Sequence, residues 1–403
     1  MIIIGGTYSE ICFEPIWENI FGSGFRAVNM VLQVNPKQKI DYYTCADKEL
    51  SDYLNYHKNL NASLNLHISD IFKSPEFHYD HPLRTPIIHP RPDLYKHLDV
   101  TIHAKGDNVL VYGLIEATFN VEGDKVVYDP QSPANPKTFT STGSKANQLI
   151  TIVNFGEAKL ITKSDNVSEI KDFFFNHESC HALIIKMGAQ GALLFESIDD
   201  EPFKIPVFKT DKVWPIGSGD VFSAYFAHSW FNGETIQQSA LSASVATAKY
   251  CNTRDFSNLG SSDLTQLESL IINSVPTGQV YLAGPFFTFS ERWLVHEAWN
   301  ALKGMGLKVF SPFHDVGHGK ATDVVHKDLI GLDESDIIFG ILDGLDSGTL
   351  FEIGYAISKG KKVVAFVQNE NEESLKMLEG TGCILEQDFA TAIYKTYWSF
   401  GKA

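Results

Sequence analysis

Residues 335–356 read SDIIFGILDGLDSGTLFEIGYA, and this stretch decides how the last third of the chain folds. Asp336–Leu342 reads as a strand, and its apolar run from Ile337 is the mark of a strand buried on both faces of a parallel sheet. Thr349–Lys359 reads as a helix, and Asp343 and Asp346 fill the turn between the two. Working outward, Gln279–Phe287 is a strand, and Glu291–Met305 places Leu294, Ala298, Ala301, Leu302 and Met305 on one helical face. Lys308–Ser311 and Lys361–Val367 are further strands, and HKDLIGL at 326–332 is helical. Strands alternating with helices predict a small doubly wound domain over 279–403, whose ligands bind beyond the carboxyl ends of the strands.

Four acids fall where that rule places a site: Asp328 on a helix, Asp343 and Asp346 past a strand end, and Glu352 in the first turn of the next helix. A helix N-terminus favours an ionised carboxylate. A carboxylate that attacks an anomeric carbon needs that charge, and a second carboxyl must exchange a proton with the leaving group. Taken singly, each residue has a blander reading. Glu352 fits a favourable helix charge, Asp343 a solvated loop residue, Asp328 a surface acid and Tyr281 a core residue. Phe286 and Phe287 fit core or a base-stacking wall equally.

The set as a whole is more specific. YLAGPFF at 281–287, DLIGL at 328–332, the stretch 335–356 and GKKVVAF at 360–366 together resemble the nucleoside 2-deoxyribosyltransferase family. The resemblance implies a flavodoxin-like domain that cleaves or transfers an N-glycosidic bond through a glycosyl-Glu352 intermediate and uses no cofactor. It further implies that Tyr281 orients Glu352, that Asp328 protonates the base, and that Asp346 lies near the sugar hydroxyls. Nucleotide-cleaving relatives carry a small residue at the Asp346 position, so a nucleoside is the expected substrate. Some relatives draw an Asn from a neighbouring subunit, which implies a homo-oligomer, and Asn371–Met377 is the nearest counterpart here.

The first two thirds follow a different pattern. Met1–Ile4, Val109–Tyr112, Lys125–Tyr128, Leu149–Val153 and Leu183–Lys186 read as buried strands with helices between several of them. A small-residue helix is expected over 234–251 and a short one over Leu264–Ile272, with a linker at Ser274–Gly278 and no internal repeat anywhere. Ile216-Gly-Ser-Gly-Asp220 leads into an apolar helix. Its glycines let backbone N–H groups approach a phosphate, and Asp220 would accept the proton of an attacking hydroxyl. With Asn154-Phe-Gly-Glu157, LIIKMGAQGALLF at 183–195 and GSGF at 22–25, this motif resembles the ribokinase-type (PfkB) kinases over residues 1–275, which are αβα domains. The resemblance implies ATP and Mg²⁺, Asp220 as base, Gly217, Ser218 and Gly219 in the phosphate seat, and Asn154 and Glu157 organising metal and phosphate. On the sugar side Glu10 stands for an expected aspartate and Arg26 for an expected asparagine, and Val213-Trp-Pro215 replaces the usual lead-in.

The expected protein is therefore a bifunctional nucleoside-metabolising enzyme, the first domain phosphorylating a nucleoside or sugar. The alternative makes that domain an inactive nucleotide or nucleoside sensor, or a scaffold, beside an N-glycosidase. Formal net charge is −16 with no Lys/Arg cluster, which disfavours a nucleic-acid polymer and leaves a nucleoside, nucleobase or sugar as partner. Five scattered cysteines show no metal-ligand spacing and read as reduced thiols. MIIIGGTYSE lacks a basic leader region and no apolar stretch approaches a membrane span, so a cytoplasmic protein is expected.

Overall fold

The structure is a computed structural model that describes residues 1–132, 135–257, 259, 267–270, 275–317 and 319–401. It divides into two compact units, Met1–Thr210 with Trp214–Ile271, and Asp211–Val213 with Ile272–Ala403. Among the described residues no helix is long and apolar enough to cross a membrane.

Unit 1 is built on a nine-stranded sheet. In chain order its elements are β1 (Ile2–Ile4), β2 (Ser9–Cys12), β3 (Trp17–Ile20), α1 (Gly22–Val34), β4 (Ile40–Ala46), α2 (Lys48–Leu60) and β5 (Leu64–Asp70). There follow β6 (Glu76–Tyr79), β7 (Ile87–His89), β8 (Thr101–Tyr112), β9 (Thr118–Asp129), β10 (Lys145–Asn154), α3 (Phe155–Thr162) and α4 (Val167–Asn176). The unit closes with β11 (Ala182–Lys186), β12 (Ala192–Phe195), β13 (Phe203–Ile205), β14 (Val207–Phe208), α5 (Ser218–Phe231), α6 (Ile236–Thr253) and β15 (Ser269–Leu270). The sheet order is β13-β12-β11-β10-β9-β8-β1-β4-β5, parallel except at β12. A smaller sheet, β3-β2-β6-β7, carries Glu10.

Alternation along the strands feeds two cores. Ile3, Leu110, Tyr112 and Val127 pack with α1, α2, α5 and α6, while Ile2, Ile4, Val109, Val111 and Val126 pack with Ala158 of α3 and Phe174 of α4. Two expectations need correction. The helix expected over Leu264–Ile272 is not formed at Ser269–Leu270, which pairs as a strand with Val207–Phe208; 264–266 and 271–272, with Ser274 of the expected linker, lie outside the described residues.

The second correction is a repeat. β8 and β9 are twelve residues each, lie parallel in register, and share Thr, Gly-Asp and Val at 101/118, 106–107/123–124 and 109/126. Residues 113–117 alone join the end of one strand to the start of the next. That connection reaches about 20 Å at most, whereas a straight twelve-residue strand spans about 36 Å. Each strand therefore turns back at its Gly-Asp pair, where the register skips Asp107 and Asp124. β10 repeats the skip at Asn147, whose Nδ2 donates to Asp124 Oδ1 at 2.9 Å. The arms 101–105 and 118–122 bury Ile102, Ala104, Phe119 and Val121 on the α3/α4 side, where a helical crossover between parallel strands usually packs.

Unit 2 comprises β16 (Gln279–Ala283), α7 (Phe289–Gly304), β17 (Lys308–Phe310), α8 (Ala321–Glu334), β18 (Ile337–Ile341), α9 (Ser347–Ser358), β19 (Lys362–Phe366), α10 (Glu372–Gly380), β20 (Ile384–Glu386) and α11 (Phe389–Trp398). The sheet is all parallel in the order β17-β16-β18-β19-β20, the 2-1-3-4-5 of a flavodoxin-like domain. Its reversal of strand order lies at β16/β18. The fifth strand, β20, goes beyond the sequence reading. Tyr281, Leu332, Ile353 and Ala356 share one core, so β16, α8 and α9 meet on the same face.

Candidate active sites

In unit 2 the acids gather at the strand-order reversal. Tyr281 is fully buried on β16, stacks on Phe310 with ring centres 5.5 Å apart, and donates its hydroxyl to Glu352 Oε1 at 2.7 Å. Asp346 caps α9, accepting from Thr349 N at 2.8 Å and Thr349 Oγ1 at 3.0 Å. The helix thus starts at Ser347, and Glu352 sits in its second turn rather than its first, where little of the dipole field remains. Burial, with Asp328 and Asp346 nearby, pushes the Glu352 carboxyl up to about 7 against the lowering effect of the Tyr281 bond. The expectation of a carboxylate held ionised by the helix is corrected accordingly.

Burial also raises the Asp328 carboxyl, and its Oδ1 is buried with no hydrogen-bond partner among the described residues. Asp343 stands apart from this group. It braces the loop after β19, accepting from Gln368 N at 2.8 Å and Asn369 N at 2.9 Å. Asn371 caps α10 through Ser374 N at 3.0 Å.

The aromatic surroundings were only half legible. Phe286 stacks on Phe287 and lies 5.7 Å from Phe313, and Phe287 is 68% exposed. Phe313 and His314 occupy a π-helical turn, Pro312–Val316, directly past the carboxyl end of β17. His314 stacks on Trp299 and meets His296 Nδ1 through its Nε2 at 3.1 Å. The signal for this cluster was present in SPFHD, which follows a strand end just as LDGLD does.

In unit 1 the motif residues also come together, but around cations. Gly217, with φ +74°, caps α5, and Asp220 lies in the first turn. Arg26 is fully buried and pairs with both Glu10 oxygens, Nη1 to Oε1 at 3.4 Å and Nη2 to Oε2. Its Nε stands 3.5 Å from Asp220 Oδ2, and Gln131 Nε2 donates to Asp220 Oδ1. Glu10 Oε1 also accepts from Gly22 N at 2.9 Å. A Cβ placed on Gly217 would lie 1.9 Å from Arg26 Nε, so the guanidinium fills the space above that glycine.

Burial pushes Asp220 up to about 6, while Arg26 and Gln131 pull it down. Asn154 and Glu157 form a capping box for α3, and Glu157 Oε1 accepts from Ser132 N at 3.0 Å. Lys186 Nζ and Ser223 Oγ each lie 2.6 Å from Asp129 Oδ2. Asp129, Gln131 and Lys186 are additions to the sequence reading. Asp129 and Lys186 were marked by their places at strand ends, like Asp343, whereas nothing local marks Gln131. Arg26 stands beside the Gly217 turn expected to seat a phosphate, and Asp220 and Glu157 each accept hydrogen bonds within the chain.

Residues 94–257 match the pfkB family carbohydrate kinase model, and residues 280–389 match that of Nucleoside 2-deoxyribosyltransferase. No curated protein matches the chain. Among solved structures, adenosine kinase from Schistosoma mansoni is 16% identical, covering 65% of this chain and 97% of its own, with TM-score 0.49. Ribokinase from Thermotoga maritima is 17% identical, covering 64% and 94%, with TM-score 0.46. Ribokinase from Giardia lamblia is 15% identical, covering 64% and 95%, with TM-score 0.47. Unit 1 is thus a ribokinase-type α/β domain and unit 2 a flavodoxin-like one, and the pair supports a nucleoside-metabolising protein.

Proposed function

We propose that unit 2 breaks the N-glycosidic bond of a nucleoside through a covalent glycosyl-Glu352 intermediate. The observation that carries this is the Tyr281–Glu352 bond of 2.7 Å beside Asp328, whose Oδ1 has no partner among the described residues. Glu352 attacks the anomeric carbon as the C–N bond breaks, and Asp328 gives its proton to the departing base nitrogen. Water, or the nitrogen of a second base, then attacks the same carbon, breaking the glycosyl–Glu352 bond and releasing the Glu352 carboxylate, and returns a proton to Asp328. Tyr281 holds Glu352 in line, and Asp346 both caps α9 and stands near the sugar. The reactive form holds one proton between Glu352 and Asp328, so the rate follows a bell whose alkaline limb falls near the Glu352 value of about 7. The test is base release from a nucleoside panel with intact-protein mass of the trapped adduct. A panel that gives no release, or an adduct on another residue, overturns the reading.

For unit 1 the sequence offers a kinase using ATP and Mg²⁺ on a nucleoside or sugar, and the Arg26 geometry favours its alternative. Unit 1 binds small molecules without transferring a phosphoryl group. Incubation of the full chain with labelled ATP and a nucleoside and sugar panel gives no labelled acceptor. Transfer that Asp220→Asn abolishes would restore the kinase reading.

A further inference from the structure

The turn that leads into α9 is strained and is held from outside. Gly344 and Leu345 take φ of +85° and +46° in succession, between the carboxyl end of β18 and the Asp346 cap. A leucine enters this left-handed region at a cost, and it stays there only where its surroundings over-determine it. Among the described residues Leu345 is the one apolar non-glycine residue with positive φ. It is half-buried and lies outside the core that holds Tyr281 and Ile353. The turn supplies one bond of its own, Leu345 N to Leu342 O at 2.9 Å.

The rest of the hold comes from the loop 367–371, past the end of β19. Asp343 Oδ1 accepts from Gln368 N and Asn369 N, and its Oδ2 accepts from Asn369 Nδ2 at 3.2 Å. Gly344 N donates to Glu370 Oε1 at 2.8 Å. That loop is anchored in turn, since β18 and β19 pair up to Ile341 and Phe366 and Val367 N donates to Glu386 O at 2.9 Å. Two loops at neighbouring carboxyl ends, where ligands of such sheets bind, are thus bolted together by two acid side chains. The consequence falls on Asp346. Its Oδ2 takes both bonds from Thr349, and its Oδ1 accepts none among the described residues, so one oxygen caps α9 and the other is left for a ligand. The direction of that oxygen follows the backbone of the cap, and the cap follows the turn.

We infer that Asp343 is a positioning residue of unit 2: its clamp on residues 368 and 369 holds Gly344 and Leu345 in the left-handed turn and thereby sets the Asp346 carboxylate, while Asp343 itself touches no substrate. This role presupposes that unit 2 works through Glu352 and Asp346 as proposed. Hydrogen–deuterium exchange on the full chain reads the clamp without substrate. Asp343→Ala should speed exchange at 344–349 roughly tenfold while 281–283 and 362–366 stay as in wild type. Turnover reads the positioning. A variant that only unfolds part of the population loses kcat/KM for every substrate alike, whereas a displaced Asp346 changes the ratio between substrates. Asp343→Ala should narrow the preference for a nucleoside over its 5′-monophosphate by about fivefold or more. Asp343→Asn keeps an acceptor for Gln368 N and Asn369 N, so it should hold that preference within about threefold of wild type. Unchanged exchange at 344–349 in Asp343→Ala, an unchanged preference there, no preference in wild type, or an equal loss in Asp343→Asn overturns the inference. A wild type that releases no base overturns the reading of unit 2 itself, which Glu352→Gln reports separately.

Discussion

The two acid clusters are alike in composition and in the upward push that burial gives their carboxyls, and they differ in the cations that stand among them. In unit 2, Glu352, Asp328 and Asp346 stand together, and no Lys or Arg pairs with them among the described residues. In unit 1, Asp220 and Glu10 share the buried Arg26, and Asp129 holds Lys186. An acid cluster without cations keeps its protons and strains to lose them, the condition for acid–base and nucleophilic work near neutrality. An acid cluster that holds cations has its charges paired within the chain, although burial still raises Asp220. A glycine-turn aspartate is thus evidence for a fold, and its partners decide what it does.

The largest effect that separates the clusters is on rate. Glu352→Gln should lower base release on the order of a thousandfold or more, since it removes the proposed covalent nucleophile. Asp220→Asn should leave base release unchanged. The same Glu352→Gln variant should be more stable than wild type above neutrality. A carboxyl whose folded value is raised to about 7 holds its proton in the fold where the unfolded chain has lost it, so its contribution falls as pH climbs from about 4.5 to 7. Thermal melts at pH 5 and pH 8 test this. A gap that fails to widen toward pH 8 means Glu352 is not the buried acid described.

Next in size is the consequence of emptying the cationic centre. Arg26→Met should destabilise unit 1 by about 3 kcal/mol, because Glu10 and Asp220 are left buried and unpaired. Adding Glu10→Gln should recover part of that loss, and denaturant unfolding of the three chains measures it. A single variant as stable as wild type would mean the guanidinium holds nothing together.

Smaller again is the effect of the bond that orients Glu352. Tyr281→Phe keeps the ring on Phe310 and deletes one hydrogen bond to a carboxyl, which is worth about 1.5–3 kcal/mol when charged. Base release should fall roughly tenfold to a hundredfold through kcat, with KM nearly unchanged. A loss confined to KM would place Tyr281 on the substrate instead.

The sheets of both units were legible because buried parallel strands are apolar runs, as in 183–185 and 337–342. The arms 101–105 and 118–122 escaped because a short polar-apolar alternation ending in Gly-Asp reads as a loop, and only register across β8, β9 and β10 reveals the turn. β20 escaped because three residues carry no periodicity. At the sites, the types and spacing of Tyr281, Asp328, Asp346 and Glu352 were readable. The start of α9 was displaced because Asp346, taken as a sugar contact, is also the cap. The substitution at Arg26 was visible, but its contact with Asp220 joins residues distant in sequence, and no local pattern encodes it.

The smallest expected change in stability carries a sharp test of that double role. Asn caps a helix about as well as Asp, so Asp346→Asn should shift stability by only a few tenths of a kcal/mol. Asp346→Ala should cost about 1 kcal/mol by removing the acceptor for Thr349. Charge is the only large property that separates Asn from Asp here. Selection of a nucleoside by repulsion between the Asp346 carboxylate and a 5′-phosphate requires wild type to prefer nucleosides over their monophosphates by kcat/KM. It requires Asp346→Asn to narrow that preference while the fold and the cap remain. Equal kcat/KM for nucleoside and monophosphate in wild type, or an unchanged ratio in Asp346→Asn, would leave Asp346 as a helix cap and move the selection of substrate elsewhere.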